Sequence, residues 1–191
     1  WLEHVQENDL CIQGAMTDVK GQRGVAPSQQ VDPDMFVHVV ERRSDGIVIR
    51  GAKASQTGTV NSHEMLVMPT LNMRKGDEDY AVTCAIPMDA KGLTLIYGRQ
   101  SSDTRKLEEG DIDGGNYNFG AQGTLTILDN VFVPWERVFM CGEAEFAITL
   151  VERFAAYHRQ SYGGCKPGIS DVLIGAAASI ADYNGVRRAP H

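Results

Sequence analysis

The stretch that decides the fold is TLTILDNVFVPWERVFMCGEAEFAITLVERFAAYH, Thr124–His158, because the spacing of its apolar residues changes along it. The first part, TLTILDNVFV, has the composition of a β-strand. From Glu143 onward the apolar spacing becomes that of an amphipathic helix. The sequence therefore predicts a β domain that is followed by helices. The helical stripe consists of Phe146, Leu150, Phe154 and His158, with Ala147, Val151 and Ala155 beside it.

Further β-type runs precede this stretch, and turn-rich segments such as RSDG, RKGDED and DIDGGN separate them. Asp45-Gly46 lies between two of these runs and is typical of a hairpin turn. We therefore expect short strands from Asp9 to about Pro134. The predicted strands before Thr124 are LCIQGAM, FVHVVER, IVIRGAK, EMLVMPTL, YAVTCAIP and LTLIYGR.

Two helices are expected after the strands. Gly163-Gly164 favours an end to the first helix, since glycine is the usual residue at a helix C-terminus. Ser170-Asp171 suits the first turn of a second helix, and Asn184-Gly185 suits its end.

Composition and charge restrict the function classes. The chain has 191 residues, of which 42% are hydrophobic, so it is long enough for one or two domains with a core. Its net charge is −7 and its basic residues are scattered, which argues against a nucleic-acid partner. No apolar run approaches the roughly 20 residues of a membrane span, and no signal-peptide pattern opens the chain. We therefore expect a cytoplasmic protein with no membrane partner.

A histidine and a cysteine lie seven positions apart in AYHRQSYGGCKPG, Ala156–Gly168. His158 lies on the apolar stripe, so its imidazole is expected to point inward, either as a core residue or as a metal ligand. A tight turn at Gly163-Gly164 would bring Cys165 near it. Two ligands do not complete a zinc or iron–sulfur site, and the chain has no C-x-x-C or C-x-x-x-C. The other cysteines, Cys11, Cys84 and Cys141, are too dispersed for a small disulfide scaffold.

Two polar loops are candidate ligand sites. MTDVKGQR, Met16–Arg23, leaves a predicted strand and offers backbone donors and two basic side chains to a phosphate or to a flavin edge. Ser55, Gln56 and Thr57 offer donors and acceptors that suit the rim of an aromatic ring system. Either loop could equally be a plain connection between strands. The chain has no G-x-G-x-x-G, so a Rossmann-type cofactor site is not supported.

The segment VERFAAYHRQSYGGCKPGISDVLIGAAASIADYNG closely resembles the 4-hydroxybutyryl-CoA dehydratases, flavoproteins related to the flavin-dependent 4-hydroxyphenylacetate 3-hydroxylases. The resemblance runs the length of the chain and includes ENDLCIQGAMTDVKGQRGVAPS, GIVIRGAKASQTGTVNSHE, IYGRQSSDTRKLEEG and LDNVFVPWERVF. It implies an α+β, acyl-CoA dehydrogenase-like fold. Residues 1–8 would end an N-terminal helical domain, 9–140 would form the middle β-barrel or sandwich domain, and 141–191 would begin a C-terminal helical bundle. Because the chain opens on Trp1 inside an apparent helix end, we expect a fragment.

The resemblance also implies cofactors, a substrate and site residues. A [4Fe-4S] cluster would be held by His158, Cys165 and two cysteines of a C-x-x-x-C that this chain lacks. His158 would also serve as a base, Tyr162 would orient the substrate, and Lys166 would neutralise charge. The substrate would be an acyl-CoA, 4-hydroxybutyryl-CoA, dehydrated to crotonyl-CoA by a radical mechanism in a homotetramer, with an associated vinylacetyl-CoA isomerisation. The FAD contacts would be Met16, Thr17, Asp18, Val19, Lys20, Gly21, Gln22, Arg23, Ser55, Gln56 and Thr57.

The sequence departs from the dehydratases at one position, and it leaves two alternative functions open. Where the dehydratases are expected to have a glutamate, FGAQGTL has Gly123, which puts the acyl group in question. The first alternative is an FAD-dependent aromatic hydroxylase of the same fold, which would not need His158 or Cys165 as ligands. The second is a non-catalytic β module that only binds a partner.

Overall fold

The structure, a computed structural model, describes residues 1–97, 123–160 and 162–186, and its strands form two four-stranded sheets. The first sheet has the order β1-β4-β5-β8, in which β1 and β4 are parallel and the other pairs antiparallel. The second is antiparallel throughout, with the order β2-β3-β7-β6. The strands are β1 Ile12–Ala15, β2 His38–Arg42, β3 Gly46–Thr57, β4 Glu64–Val67, β5 Val82–Pro87, β6 Leu93–Tyr97, β7 Gly123–Pro134 and β8 Val138–Cys141.

Apolar side chains from both sheets form one buried cluster. Ile47 and Ile49 on β3 are fully buried, as are Met65 on β4 and Val131 and Val133 on β7. Along β3, buried and half-buried positions alternate from Ile49 to Ala54, so Ile49 and Lys53 lie on the same, inner face. The core between the sheets therefore fixes the register of β3, whose far end carries one of the candidate ligand loops.

The strand predictions are confirmed within the described residues. Each of the seven predicted runs contains a strand, and the Asp45-Gly46 turn joins β2 to β3, with the Arg43 N–H donating to the Gly46 carbonyl at 2.8 Å. Strand β8 was not predicted, because its four residues, VFMC, are all apolar and show no alternation, and they lie where the apolar spacing changes to that of a helix. The segments IYGRQSSDTRKLEEG, beyond Tyr97, and DIDGGN lie outside the described residues.

A short first helix, α1 Leu2–Glu7, lies beside the first sheet, as the opening residues predict. The buried carboxylate of Glu64 accepts hydrogen bonds from Trp1 Nε1 at 2.5 Å and from Arg137 Nη1 at 2.8 Å. Burial alone would raise the pKa of Glu64, but these two hydrogen bonds lower it below its ordinary value. The ionised carboxylate therefore ties the start of the chain to the β unit.

The helices after the strands differ from the prediction at their junction. Helix α2 spans Ala144–Gln160 and α3 spans Tyr162–Tyr183. The predicted helix end at Gly163-Gly164 is wrong, because both glycines are inside α3, and so is the predicted start at Ser170-Asp171. Each helical glycine costs about 1 kcal/mol relative to alanine, which helix propagation on its C-terminal side can offset. The predicted end at Asn184-Gly185 is confirmed, with Gly185 at φ +68.

The chain divides into two compact units, Trp1–Ile148 and Thr149–His191. In the second unit, α3 has no buried residue, and apolar side chains such as Val172, Leu173 and Ile174 are more than 60% exposed. None of the described helices is both long enough and apolar enough to span a membrane.

Core packing between the sheets gives the first prediction. Ile49→Ala should lower the free energy of unfolding by about 2–5 kcal/mol, because it leaves a cavity in a fully packed site. Ile96→Ala, in the same sheet but 54% exposed, is the matched control and should change it by less than about 1 kcal/mol. Chemical denaturation monitored by tryptophan fluorescence measures both, and equal losses would contradict the assigned core.

Candidate functional site

The two polar loops chosen from the sequence are neighbours in the structure. Met16–Arg23 follows β1, and Ser55–Thr57 ends β3. The Ala54 N–H donates to the Thr17 carbonyl at 2.9 Å, and Asp18 pairs with Lys53 as an isolated antiparallel bridge. Backbone pairing therefore places both loops at one edge of the β unit.

A buried ion pair lies beneath the first loop. The Lys53 ammonium is 2.7 Å from Asp18 Oδ1, and both side chains are at most 2% exposed. Lys53 Nζ also donates to the carbonyls of Met16, at 2.9 Å, and Met68, at 2.8 Å. Burial lowers the pKa of Lys53, and the charge of Asp18 opposes that effect. The side chain of Asp18 is therefore occupied, so this residue has only its backbone to offer a ligand.

Gln56 holds the second loop in a similar way. Its amide nitrogen donates to the carbonyls of Thr17, at 3.0 Å, and Ala54, at 2.7 Å, and its amide oxygen accepts from Gln13 at 3.1 Å. Because the side chain is buried and both ends of its amide are engaged, Gln56 joins the loops rather than facing solvent. Among the predicted contacts, Asp18 and Gln56 thus lie beneath the surface that the others form.

Several predicted contacts remain exposed at this edge. Thr17 and Val19 are exposed in the first loop, and Ser55 and Thr57 flank the buried Gln56 in the second. Ser55 has φ +56, at a bulge between β3 and β7, and this conformation turns the strand end away from regular pairing. The hydroxyl groups of the two loops therefore share one accessible edge.

The far end of the first loop borders a cleft of about 220 Å³. Gly21 has φ +39, where a side chain would be strained, and a Cβ added to it would lie 2.5 Å from Gln30 Oε1 and displace the Gln30 amide. Gln30 in turn accepts from the Gln22 N–H at 2.9 Å and donates to the Gln22 carbonyl at 3.0 Å. Basic and apolar groups face each other across the cleft, a combination that suits an aromatic ligand bearing phosphates. The lining residues are Lys20, Gln22, Arg23, Gly24, Val25, Phe36 and Leu71.

Gly123, at the start of β7, lies beside the second loop. It pairs in register with Thr57, and among the described residues a Cβ added to it would meet only the Ser55 Cα, at 3.9 Å. The position where the resemblance predicts a glutamate therefore has room for a side chain next to the exposed hydroxyl groups. Its neighbour Gln122 lies outside the described residues.

The predicted catalytic residues form a row in the second unit. The His158 ring stacks on Phe154 with centroids 5.3 Å apart, and it meets Tyr162 edge-on at 5.2 Å. The Lys166 ammonium lies 5.2 Å from the centroid of the Tyr162 ring. Spacing of four residues thus brings His158, Tyr162 and Lys166 together.

The expectation that His158 points inward is wrong, because it is exposed, as is Cys165. The apolar stripe that predicted its burial is itself only partly covered, with Phe146 58% exposed. Cys165 lies in the first turn of α3, one position before Lys166. Within the described residues, no group of three or more His, Cys, Asp or Glu side chains could hold a metal ion. His158 and Cys165 are thus candidate ligands of a shared site rather than a complete one.

Sequence reasoning missed Lys53 and Thr70. The Thr70 hydroxyl donates to Asp18 Oδ2 at 2.8 Å and lies beside the Met16 carbonyl. Lys53 could have been found, because it occupies the inward position of β3 after Ile47, Ile49 and Gly51. A lysine at an inward position needs a buried acceptor. The polar loop after β1 contains such an acceptor, the carboxylate of Asp18.

Comparison with known proteins identifies the family of this chain. Residues 1–140 match the family described as 4-hydroxyphenylacetate 3-hydroxylase N terminal, and residues 147–191 match its C-terminal counterpart. The chain therefore belongs to the 4-hydroxyphenylacetate 3-hydroxylase family. Within it, the chain is 62% identical over 192 residues to the 4-hydroxybutyryl-CoA dehydratase/vinylacetyl-CoA-Delta-isomerase of Clostridium aminobutyricum. That alignment covers 100% of this chain and 39% of the relative.

Other relatives have the same fold at lower identity. The oxygenase component of 4-hydroxyphenylacetate 3-monooxygenase from Geobacillus sp. is 29% identical over 204 residues, which are 100% of this chain and 39% of that protein. A solved archaeal 4-hydroxybutyryl-CoA dehydratase from N. maritimus is 58% identical with a TM-score of 0.79, over 100% of this chain and 38% of that one. A solved oxygenase component complexed with FAD is 31% identical with a TM-score of 0.63, over 81% and 31%.

Burial of the site's interior gives a chemical prediction. Burial raises the pKa of the Cys84 thiol to about 12, so little thiolate forms at pH 8. Iodoacetamide at pH 8 should therefore alkylate exposed Cys11 and leave Cys84 unmodified until denaturant is added. Peptide mass spectrometry distinguishes the two sites, and native alkylation of Cys84 at the rate of Cys11 would show that the interior beside Lys53 is open.

Proposed function

We propose that this chain is part of a 4-hydroxybutyryl-CoA dehydratase that uses FAD and a [4Fe-4S] cluster, and that also isomerises vinylacetyl-CoA. The observation that carries the proposal is the 62% identity to the clostridial dehydratase/isomerase across the whole chain. The His-x6-Cys segment, with Tyr162 and Lys166 beside it, supports the same branch of the family. The acyl-CoA substrate and a homotetrameric assembly of the full-length protein belong to this proposal.

The residues at the edge of the β unit fit FAD. Hydroxyl groups of Thr17, Ser55 and Thr57 share one accessible edge, and Lys20 and Arg23 border the adjoining cleft. These groups suit the polar rim of an isoalloxazine ring and a pyrophosphate. When bound, FAD would supply one-electron oxidation and reduction of the substrate. We further propose that the β unit is the middle domain, and α2 and α3 the first helices of the C-terminal bundle, of an acyl-CoA dehydrogenase-like fold.

The residues of the helical unit offer the donor types of an iron–sulfur cluster. His158 and Cys165 would hold it, and the remaining ligands would come from cysteines outside this chain. The weak helix formers Gly163, Gly164 and Gly168 cost about 3 kcal/mol relative to alanines, and a Cβ at any of them would meet no atom of the described residues within 4 Å. Adjustment of this turn to bind a cluster is therefore inexpensive. When bound, a cluster iron with an open position would act as a Lewis acid toward a hydroxyl group.

The proposed reaction assigns different tasks to the residues of the row. When its imidazole is not bound to the cluster, His158 would accept a proton from the carbon next to the thioester. Tyr162 holds the imidazole edge-on and would orient the substrate through its hydroxyl group. Lys166, held over the Tyr162 ring, would neutralise the negative charge that forms on the thioester oxygen.

An FAD-dependent aromatic hydroxylase is the second candidate. The chain is 29% identical to the Geobacillus oxygenase component and has a fold similar to an oxygenase solved with FAD. That reaction would use the same flavin edge and oxygen. The two candidates differ in their need for His158 and Cys165 as ligands.

Substitution of the proposed ligands distinguishes them. In the full-length protein, His158→Ala and Cys165→Ala should each keep FAD and lose cluster iron and dehydration activity. Cys165→Ala should lose more iron, because a thiolate is a stronger, charge-neutralising iron ligand than an imidazole. Iron and flavin analysis beside an anaerobic assay with 4-hydroxybutyryl-CoA measures all three quantities.

Cys11→Ala is the matched control, since it removes another exposed cysteine from the β unit. It should leave iron, flavin and turnover at their wild-type values. Full iron content and full turnover in both ligand variants would overturn the assignment of His158 and Cys165 as cluster ligands. Wild-type protein that binds FAD but holds no iron and does not dehydrate 4-hydroxybutyryl-CoA would favour the hydroxylase.

A further inference from the structure

We propose that Lys53 is the positioning residue of the flavin site: its buried ammonium sets the shape of the loop Met16–Arg23 and, through that loop, the affinity for FAD. The inference rests on the proposed function, in which this loop contacts FAD. Lys53 itself is 1% exposed, so it would act through the loop rather than touch the cofactor.

The contacts of Lys53 account for all of its donors. An ammonium has three N–H groups, and three acceptors surround this one: Asp18 Oδ1 and the carbonyls of Met16 and Met68. Two of these acceptors belong to the loop, and the third belongs to the segment that follows β4. One side chain of β3 therefore connects three separate parts of the chain.

The carboxylate of Asp18 extends the network. Its Oδ1 accepts from the Val37 N–H at 3.3 Å, and its Oδ2 accepts from Thr70. The Asp18 N–H donates to the Thr70 hydroxyl oxygen at 3.2 Å. The loop is thus held at its centre, with exposed Thr17 and Val19 on either side of the buried Asp18.

Charge makes this arrangement difficult to replace. Removing one partner of a buried ion pair leaves the other charge unpaired in a medium of low polarity, which is strongly unfavourable. Without Lys53, the Asp18 carboxylate would move toward water and carry the adjacent residues with it. The hydroxyl and backbone groups that face the ligand would then be displaced, and an ångström of displacement is enough to weaken binding substantially.

FAD titration of the full-length apoprotein tests the inference. Lys53→Met, which keeps much of the side-chain volume, should raise the Kd for FAD about tenfold or more. Lys91→Met is the matched control, because Lys91 is an exposed lysine of the same unit, in the turn between β5 and β6. Its Kd should remain within about twofold of wild type.

A milder variant keeps the test decisive if Lys53→Met does not fold. Thr70→Val removes the hydroxyl contacts to Asp18 and Met16 but leaves the ion pair, so the Kd should rise about three- to tenfold. Far-ultraviolet circular dichroism and the apoprotein melting temperature would report folding separately from affinity. The visible circular dichroism of bound flavin should also change, since it reports the groups around the ring.

The outcomes separate this inference from the function on which it rests. A lower melting temperature with wild-type FAD affinity and flavin dichroism in the folded variants would overturn the positioning role. Wild-type protein that binds no FAD would overturn the proposed function itself.

Discussion

The ion pair between Lys53 and Asp18 is the constraint on which the candidate flavin site depends. The Lys53 ammonium and the Asp18 carboxylate lie 2.7 Å apart in a mostly apolar surrounding, where burying either charge without the other is strongly unfavourable. Their pairing requires the loop after β1 to lie against β3, and that contact brings the two stretches of exposed hydroxyl groups to one edge. The core between the sheets also stabilises this ion pair, because it fixes the register of β3 and thereby the inward position of Lys53.

The buried and the exposed residues at this edge therefore have different roles. Asp18, Lys53 and Gln56 are buried and satisfy loop carbonyls or one another, whereas Thr17, Ser55 and Thr57 are exposed and available to a ligand. Gly123 borders the exposed set, and among the described residues a Cβ there would meet only the Ser55 Cα. The helical unit carries an imidazole, a phenol, a thiol and an ammonium within nine residues, on His158, Tyr162, Cys165 and Lys166.

Much of this fold could be predicted from sequence, and the exceptions have physical causes. Strands β1 to β7 follow from β-type runs and turn residues, but the four residues of β8 are all apolar and show no alternation. The helix end expected at Gly163-Gly164 is wrong. Glycine disfavours the interior of a helix, but the residues that follow continue α3, and their helix propagation outweighs this local preference. His158 lies on the predicted stripe, yet that face is exposed in this chain. The polar loops were found from composition, whereas the partnership of Asp18 with Lys53 joins residues 35 positions apart and required the fold.

Substrate choice by the full-length wild-type protein tests the proposed dehydratase function. The full-length protein, loaded with FAD and iron under anaerobic conditions, would be given 4-hydroxybutyryl-CoA, and the thioester products would be analysed by mass spectrometry. A parallel sample would receive 4-hydroxyphenylacetate, reduced FAD and oxygen. If the protein is a dehydratase, the first sample will contain crotonyl-CoA and the second will contain no hydroxylated product. Hydroxylation of the aromatic substrate with no conversion of the thioester would contradict the dehydratase function.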